Sequence, residues 1–330
     1  MSTTIRSFAK INLGLKIGPA RPDGFHELRT IYQTIALHDV VRVEVQPGNG
    51  IEIRCADQRV PADESNTCYQ IAERVMRTTR GGGRVVIEIE KRLPVQGGLG
   101  AASSNAVATM IGLERELGTP LAPQDRLRIA AEVGSDLPLF LIGGTVLGVD
   151  HGQEVYPLQD LPQLHLVVIT PPIGVSTPQA FADWDALAES QPELTDSGAA
   201  GTIKLFGGAV YAWLSEGFLS QAGPASGVPA AGGDRAETPL LDLVRAGIEN
   251  DFERVVFPEH PELREAKRVL QREGARYASL SGSGSSLYGL LESEAEAVAA
   301  AERIGAGGYS AVATRTLTRQ EYWKQLAISN

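Results

Sequence analysis

Three glycines ahead of two hydroxyls make the strongest chemical signal in the chain. The run is Pro94-Val95-Gln96-Gly97-Gly98-Leu99-Gly100-Ala101-Ala102-Ser103-Ser104. A phosphate chain is held by backbone N–H groups packed close together, and Gly97, Gly98 and Gly100 remove side chains that would block the approach. Ala101 and Ala102 extend the clearance, Ser103 and Ser104 add hydroxyl donors, and the helix that follows points its N-terminus at an anion. Glycine pairs also occur in plain turns before helices. The combination of loop, hydroxyls and helix start is what favours phosphate. No Gly-Lys-Ser/Thr follows, so this is not a Walker loop, and Ser103 takes the third glycine position of a dinucleotide fingerprint. His-Arg-Asp, Asp-Phe-Gly and Gly-x-Ser-x-Gly are absent from the sequence, which excludes a protein kinase or a nucleophile elbow on motif.

Lys10 and Asn12 alternate with Ile11 and Leu13, so they share the less apolar face of a strand. They either reach together into a cleft or form a solvated edge, the usual fate of lysine. Asp136, in Gly134-Ser-Asp-Leu-Pro138, lies between a helix end and an apolar segment. It reads as a turn aspartate bonding its own backbone, or as a partly buried carboxylate that needs a cation, for which Lys10 would serve. Leu280-Ser-Gly-Ser-Gly-Ser-Ser286 reads as a hairpin turn or as a second backbone nest facing the first loop. Of the five histidines only His26 stands in a glycine-rich loop; His38, His151, His165 and His260 read as surface or core residues. Cys55 and Cys68 lie outside any Cys-x-x-Cys and read as free thiols. Any metal ligands are unknown from sequence.

The elements that must position these residues follow from periodicity. Alternation predicts strands over 5–17, 41–45 and 85–89. Helices are predicted from 106 to 117, closed by Gly118, and over 124–133. In the second half, 164–169, 276–280, 286–291 and 310–316 read as strands. Residues 240–250, 261–273 and 293–304 read as helices, and a short helix is read over 203–218. This order predicts an antiparallel sheet with helices on one face. Residues 190–238 show little periodicity and read as an insertion rich in Gly, Ala, Ser and Pro.

The 330 residues suffice for two domains. A net charge of -10 without a long like-charge block argues against nucleic-acid or anionic-membrane binding. No signal peptide or membrane span is read, so a cytoplasmic location is expected. Nothing in the sequence sets an oligomeric state.

These elements, in this order, resemble the GHMP kinase superfamily of small-molecule kinases. Pro94–Ser104 is similar to its phosphate loop and Leu280–Ser286 to its third motif. Six runs are similar to one branch: Ala9-Lys-Ile-Asn-Leu13, Arg21-Pro-Asp-Gly-Phe-His-Glu-Leu28, Lys91-Arg-Leu-Pro94, Gly100–Asn105, Ser135-Asp-Leu-Pro138 and Asn250-Asp-Phe252. That branch phosphorylates the 2-hydroxyl of 4-diphosphocytidyl-2-C-methyl-D-erythritol in the non-mevalonate isoprenoid precursor pathway.

The resemblance implies an α+β, two-domain GHMP-kinase-like fold with the active site in the interdomain cleft. Residues 1–155 would form a nucleotide-binding domain, and 156–330 a ferredoxin-like substrate domain with the insertion at 190–238. It implies ATP with Mg²⁺, the phosphates on Pro94–Ser104 and the adenosine near Asn66 and Lys91. Lys10 and Asp136 would be the catalytic pair, and Asn12 and His26 would hold the substrate, a cytidine diphosphate alcohol. Phe25 and Phe181 would sandwich the cytosine, with Thr177 and Pro178 as further contacts. The chain departs from the branch in having Phe25 where Tyr is frequent, alanines at 101 and 102 where glycines are common, and the 190–238 insertion. The rival readings are another GHMP kinase acting on a sugar or alcohol acid, and a nucleotide-binding regulator without turnover.

Overall fold

The computed structural model describes residues 2–191 and 249–328. Most of the 190–238 insertion, the 203–218 helix and nearly all of the 240–250 helix lie outside these residues.

The first sheet is built on two long antiparallel strands, β1 (Thr3–Ala20) and β2 (His26–Gln46). Across the sheet, β1 and β2 are followed by β4 (Arg84–Glu90) and β3 (Ile51–Cys55). β5 (Thr145–Val149) pairs with both β2 and β6 (Glu154–Pro157). Helices α1 (Thr67–Thr79), α2 (Ala101–Leu117) and α3 (Pro123–Val133), with the short α4 (Leu137–Phe140), belong to the same unit. Ile71, Val75, Val107 and Met110 of α1 and α2 share a core with Val41, Val43, Val85 and Ile87 of the sheet.

The second sheet is four-stranded and antiparallel, in the order β10 (Ala311–Arg315), β7 (His165–Ile169), β9 (Leu287–Leu291), β8 (Tyr277–Leu280). Val167 and Ile169 face a core with α5 (Thr177–Ser190), α6 (Glu253–Glu259), α7 (Pro261–Arg272) and α8 (Glu294–Ala306). Leu166 and Val168 point the other way, into a third core with Ile11, Leu13, Ile31 and Ile35 of the first sheet. Burial on both faces explains why this strand reads as a continuous apolar run. After α9 (Arg319–Leu326) the chain ends its described part in β11 (Ala327–Ile328), which pairs with β1. We propose a division near residue 155, with this C-terminal segment returning to the first sheet. No helix among the described residues is long and apolar enough to cross a membrane.

A parallel bridge between Leu15 and Asn250 stitches the two units together. Beside it, buried Lys16 meets buried Asp251 at 2.9 Å, and Asp251 also accepts the Ile17 N–H. Burial pushes the Asp251 carboxyl above its ordinary range, against the pull of Lys16. Lys16→Met is expected to cost about 3–5 kcal/mol, because it removes the buried partner of a buried carboxylate and leaves only the half-exposed Arg254, 3.9 Å away. Denaturant unfolding checks this, and a loss below about 1 kcal/mol would mean that the pair behaves like a surface contact.

Candidate active site

β1 carries Lys10 and Asn12 into the interior. Lys10 is only 3% exposed, so the solvated-edge reading does not hold. Its Nζ donates to Asn12 Oδ1 at 2.7 Å and lies 3.3 Å from Asp136 Oδ2. Asn12 in turn donates to Thr30 Oγ1 at 2.7 Å. Asp136 stands at the N-cap of the four-residue α4 but makes no side-chain capping bond. Its second oxygen accepts from the Tyr32 hydroxyl at 3.0 Å. Burial, and then the charge of Asp136, push the Tyr32 phenol well above its ordinary value, so it stays a donor. Lys10 also sits over the Tyr32 ring, 5.6 Å from its centroid. Two donors thus hold the carboxylate, and its side chain remains 31% exposed to the cleft.

The glycine loop lies against this pair. Lys10 N–H donates to Leu99 O at 3.0 Å. Gly100, at φ 68°, is the N-cap of α2 and offers no side chain, so the first N–H groups of the helix are left for a ligand. The second glycine run packs directly on the first. Ser281 Oγ donates to Gly98 O at 3.0 Å, and Ser286 N–H donates to Gly97 O at 3.0 Å. The buried Asn250 amide holds that second loop through Leu280 O and Gly282 O, at 2.9 and 2.7 Å. The 280–286 run is the hairpin loop joining β8 to β9, with Leu280 opposite Leu287, and as the nest reading required it also faces the first loop.

Two cavities meet at Gly98, Gly100 and Ser103. The larger, about 760 Å³, is lined by Lys10, Asn12, Asp136, Phe25, His26, Thr177, Pro178 and Phe181 among others. The smaller, about 360 Å³, is lined by Asn66, Lys91, Pro94 and Val95 and by the rest of the loop to Ser103. Both expected adenosine contacts face the smaller cavity with partners already in place. Asn66 caps α1 through the Cys68 N–H, and Lys91 donates to buried Asp39 at 2.7 Å. Ser104 lines neither cavity: it is buried, and its hydroxyl accepts from Ser7 at 2.8 Å. It was expected on the phosphates, but the helix has turned it inward.

The aromatic residues are arranged as two stacks rather than as an empty sandwich. Phe181 stacks on His26 (centroids 4.9 Å, 18°), and His26 Nε2 lies 2.6 Å from Asp185 Oδ1. Phe25 stacks on His151 (4.6 Å, 24°), whose Nδ1 is 2.9 Å from Ser135 Oγ. His151 therefore faces the cleft and is not the surface or core residue that its lack of ligand spacing suggested. Thr177, at the start of α5, pairs its hydroxyl with Ser283 of the second loop at 2.7 Å.

Tyr32, Asp39 and His151 were not legible as site residues. Tyr32 carried a usable signal, since extending the second strand back from 41 to 26 would have paired it with Asn12. Among the described residues no group of three or more His, Cys, Asp or Glu converges as a metal site. Among the described residues, the carboxylates lining the larger cavity are Asp136 and Asp185.

Two family models match the chain: the GHMP kinases N terminal domain over residues 66–144, and the GHMP kinases C terminal over 235–310. A 4-diphosphocytidyl-2-C-methyl-D-erythritol kinase of Solibacter usitatus is 37% identical, covering 92% of this chain and 87% of that relative. One of Heliobacterium modesticaldum is 34% identical and covers 95% of each. A crystal structure of 4-(cytidine 5'-diphospho)-2C-methyl-D-erythritol kinase superposes with a TM-score of 0.69 at 28% identity, covering 96% of this chain and 99% of that one. A homoserine kinase from Cytophaga hutchinsonii, 20% identical with a TM-score of 0.67 and covering 96% of this chain and 95% of its own, shares the fold.

Proposed function

The chain belongs to the GHMP kinases, within them to the family of 4-diphosphocytidyl-2-C-methyl-D-erythritol kinases, and from that premise we propose that it transfers the γ-phosphoryl group of ATP to the 2-hydroxyl of 4-diphosphocytidyl-2-C-methyl-D-erythritol. The observation that carries the mechanism is the Lys10–Asp136 pair, 3.3 Å apart, where a glycine-loop cavity opens into an aromatic one. In this reading ATP runs from the smaller cavity, with its phosphates against Gly97–Ser103 and the start of α2. The acceptor alcohol enters from the larger.

Phosphoryl transfer is chiefly positioning and charge stabilisation. The acceptor oxygen bonds to the γ-phosphorus, the bridging P–O bond to ADP breaks, and the hydroxyl proton passes to Asp136. Lys10 and Tyr32 hold that carboxylate in place. Lys10 also faces the alkoxide as it forms, and Asn12 keeps the amine aimed. Mg²⁺ fits this donor set, because it is usually bound by substrate phosphates and only one or two carboxylates. Ser103, which lines both cavities, is the protein group that would hold it, with the phosphates supplying its other ligands. Once bound, it would neutralise charge on the transferring phosphates.

The substrate reading rests on Phe25, His26 and Phe181 forming the wall of the larger cavity. Stacking is worth roughly 1–3 kcal/mol per base. Phe181→Ala is therefore expected to reduce kcat/KM for the cytidylated alcohol by about ten-fold or more, partly because His26 loses its stacking partner. Free methylerythritol should be a far poorer acceptor than the cytidylated form. ADP release measured with both alcohols decides, and equal turnover would sink the assignment.

A further inference from the structure

Among the described residues lining the larger cavity, Lys10 is the only lysine or arginine, and Asn12 and Asp136 already engage it. The substrate assigned above carries two phosphates between its base and its reacting alcohol. That diphosphate needs donors on the wall joining the aromatic end to the Lys10–Asp136 end.

His151 occupies that wall. One face of its ring is stacked on Phe25, its Nδ1 is bonded to Ser135, and Ser135 is the chain neighbour of Asp136. The contacts therefore run in order from the base end, through His151, to the acceptor end. His26, the other imidazole in the cavity, is tied to Asp185, whereas His151 Nε2 makes no hydrogen bond among the described residues. The ring is also fixed from behind. Asp150 adopts φ 62°, its carboxylate is taken up by Arg21 and Gln153, and its carbonyl accepts the Leu28 N–H. Burial first, and then the Arg21 charge, hold the imidazole below its ordinary range, so the resting ring is neutral. Ser135 Oγ and Nδ1 can share their bond in either direction; in the tautomer in which the Ser135 hydroxyl donates, the ring proton sits on Nε2, the atom that makes no hydrogen bond among the described residues.

We propose that the His151 side chain is a specificity-determining substrate contact, its Nε2–H donating to the diphosphate of the cytidylated acceptor. This rests on the substrate reading above.

His151→Phe keeps the stack on Phe25 and removes the donor, whereas His151→Gln keeps a donor. Cytidine and CDP are measured as inhibitors competitive with the acceptor, alongside KM for the cytidylated alcohol and for ATP. A hydrogen bond to a charged group is worth about 1.5–3 kcal/mol, which is roughly a ten-fold to hundred-fold change. The expected result is a rise of that size in the CDP inhibition constant and the acceptor KM of His151→Phe. The cytidine constant and the ATP KM should stay put, and His151→Gln should recover most of the loss. An unaltered CDP constant in His151→Phe overturns the proposal. So does an equal rise for cytidine and CDP, since His151 would then only back the Phe25 ring. If the wild-type protein does not prefer the cytidylated alcohol, the substrate reading itself fails and takes this inference with it. If it does prefer it and His151→Phe is unaffected, this inference alone fails.

Discussion

Asp136→Asn is expected to lower kcat by about 10²–10⁴-fold, the usual contribution of a positioned base, while ATP still binds. The amide keeps the size of the carboxylate and can still accept from Tyr32, whose hydroxyl lies 3.0 Å away. It can no longer take a proton or balance the Lys10 charge at 3.3 Å. Lys10→Met should also lower kcat. The double variant should lose less than the product of the two single losses, because residues that act as a unit do not contribute independently. Steady-state rates together with equilibrium titration of a nucleotide analogue separate the two effects. Near-wild-type kcat in Asp136→Asn would leave the reaction to loop electrostatics and positioning alone.

Gly98→Ala should be almost as damaging, for a reason that lies in packing. Gly98 has φ 78°, and a Cβ there would sit 2.1 Å from Ser281 O and 3.0 Å from Gly284 Cα. The left-handed backbone alone costs about 1–3 kcal/mol for a side-chain-bearing residue. The clash adds to this by pushing the two glycine loops apart. Misplacement of about 1 Å can cost on the order of 10²-fold in rate, so kcat/KM for ATP should fall by about that factor. Gly118→Ala is the control: φ is 62°, but nothing lies within 4 Å of a Cβ there. It should lose a little stability and keep its ATP kinetics. Equal losses in the two variants would show that backbone strain, and not the contact between loops, explains the result.

This contact revises what the glycines are for. Read as sequence, Gly97, Gly98 and Gly100 clear space for phosphates. In the structure a Cβ on Gly97 would strike Pro94 and Ser286, and one on Gly100 would strike Phe140 and Lys10. Close approach to the neighbouring protein segments demands glycine at these positions before any ligand arrives. Ala101 and Ala102, where glycines are common in the family, stand just past these tight points, on the first turn of α2.

The elements legible in the sequence were those with regular periodicity and clean ends. The helix closed by Gly118 runs over Ala101–Leu117, and the strand-strand-helix-strand order at the end of the second half is seen as β8, β9, α8 and β10, whereas three described helices, α5 to α7, lie between β7 and β8. α1 and α5 escaped notice, as did the stretch 26–40 of β2, whose middle, 30–35, is buried on both faces and so lacks the alternation that marks a half-buried strand.

By itself the sequence determined the chemical vocabulary: a glycine loop opening a helix, a lysine and an asparagine two apart on a strand, and an aspartate after a helix. These are local patterns, set by backbone conformation and side-chain period within a few residues. Only the tertiary structure decided which of them meet. Lys10 and Asp136 are far apart in the chain, and the fold brings β1 and the start of α4 close enough for them to stand 3.3 Å apart. Tyr32 joins them because β2 pairs it with Asn12, His151 joins Phe25 because the β5–β6 turn folds over the 21–26 loop, and Ser104 is withdrawn because its turn of α2 faces β1. Such pairings depend on strand register and helix phase across the core, which no short window of sequence carries.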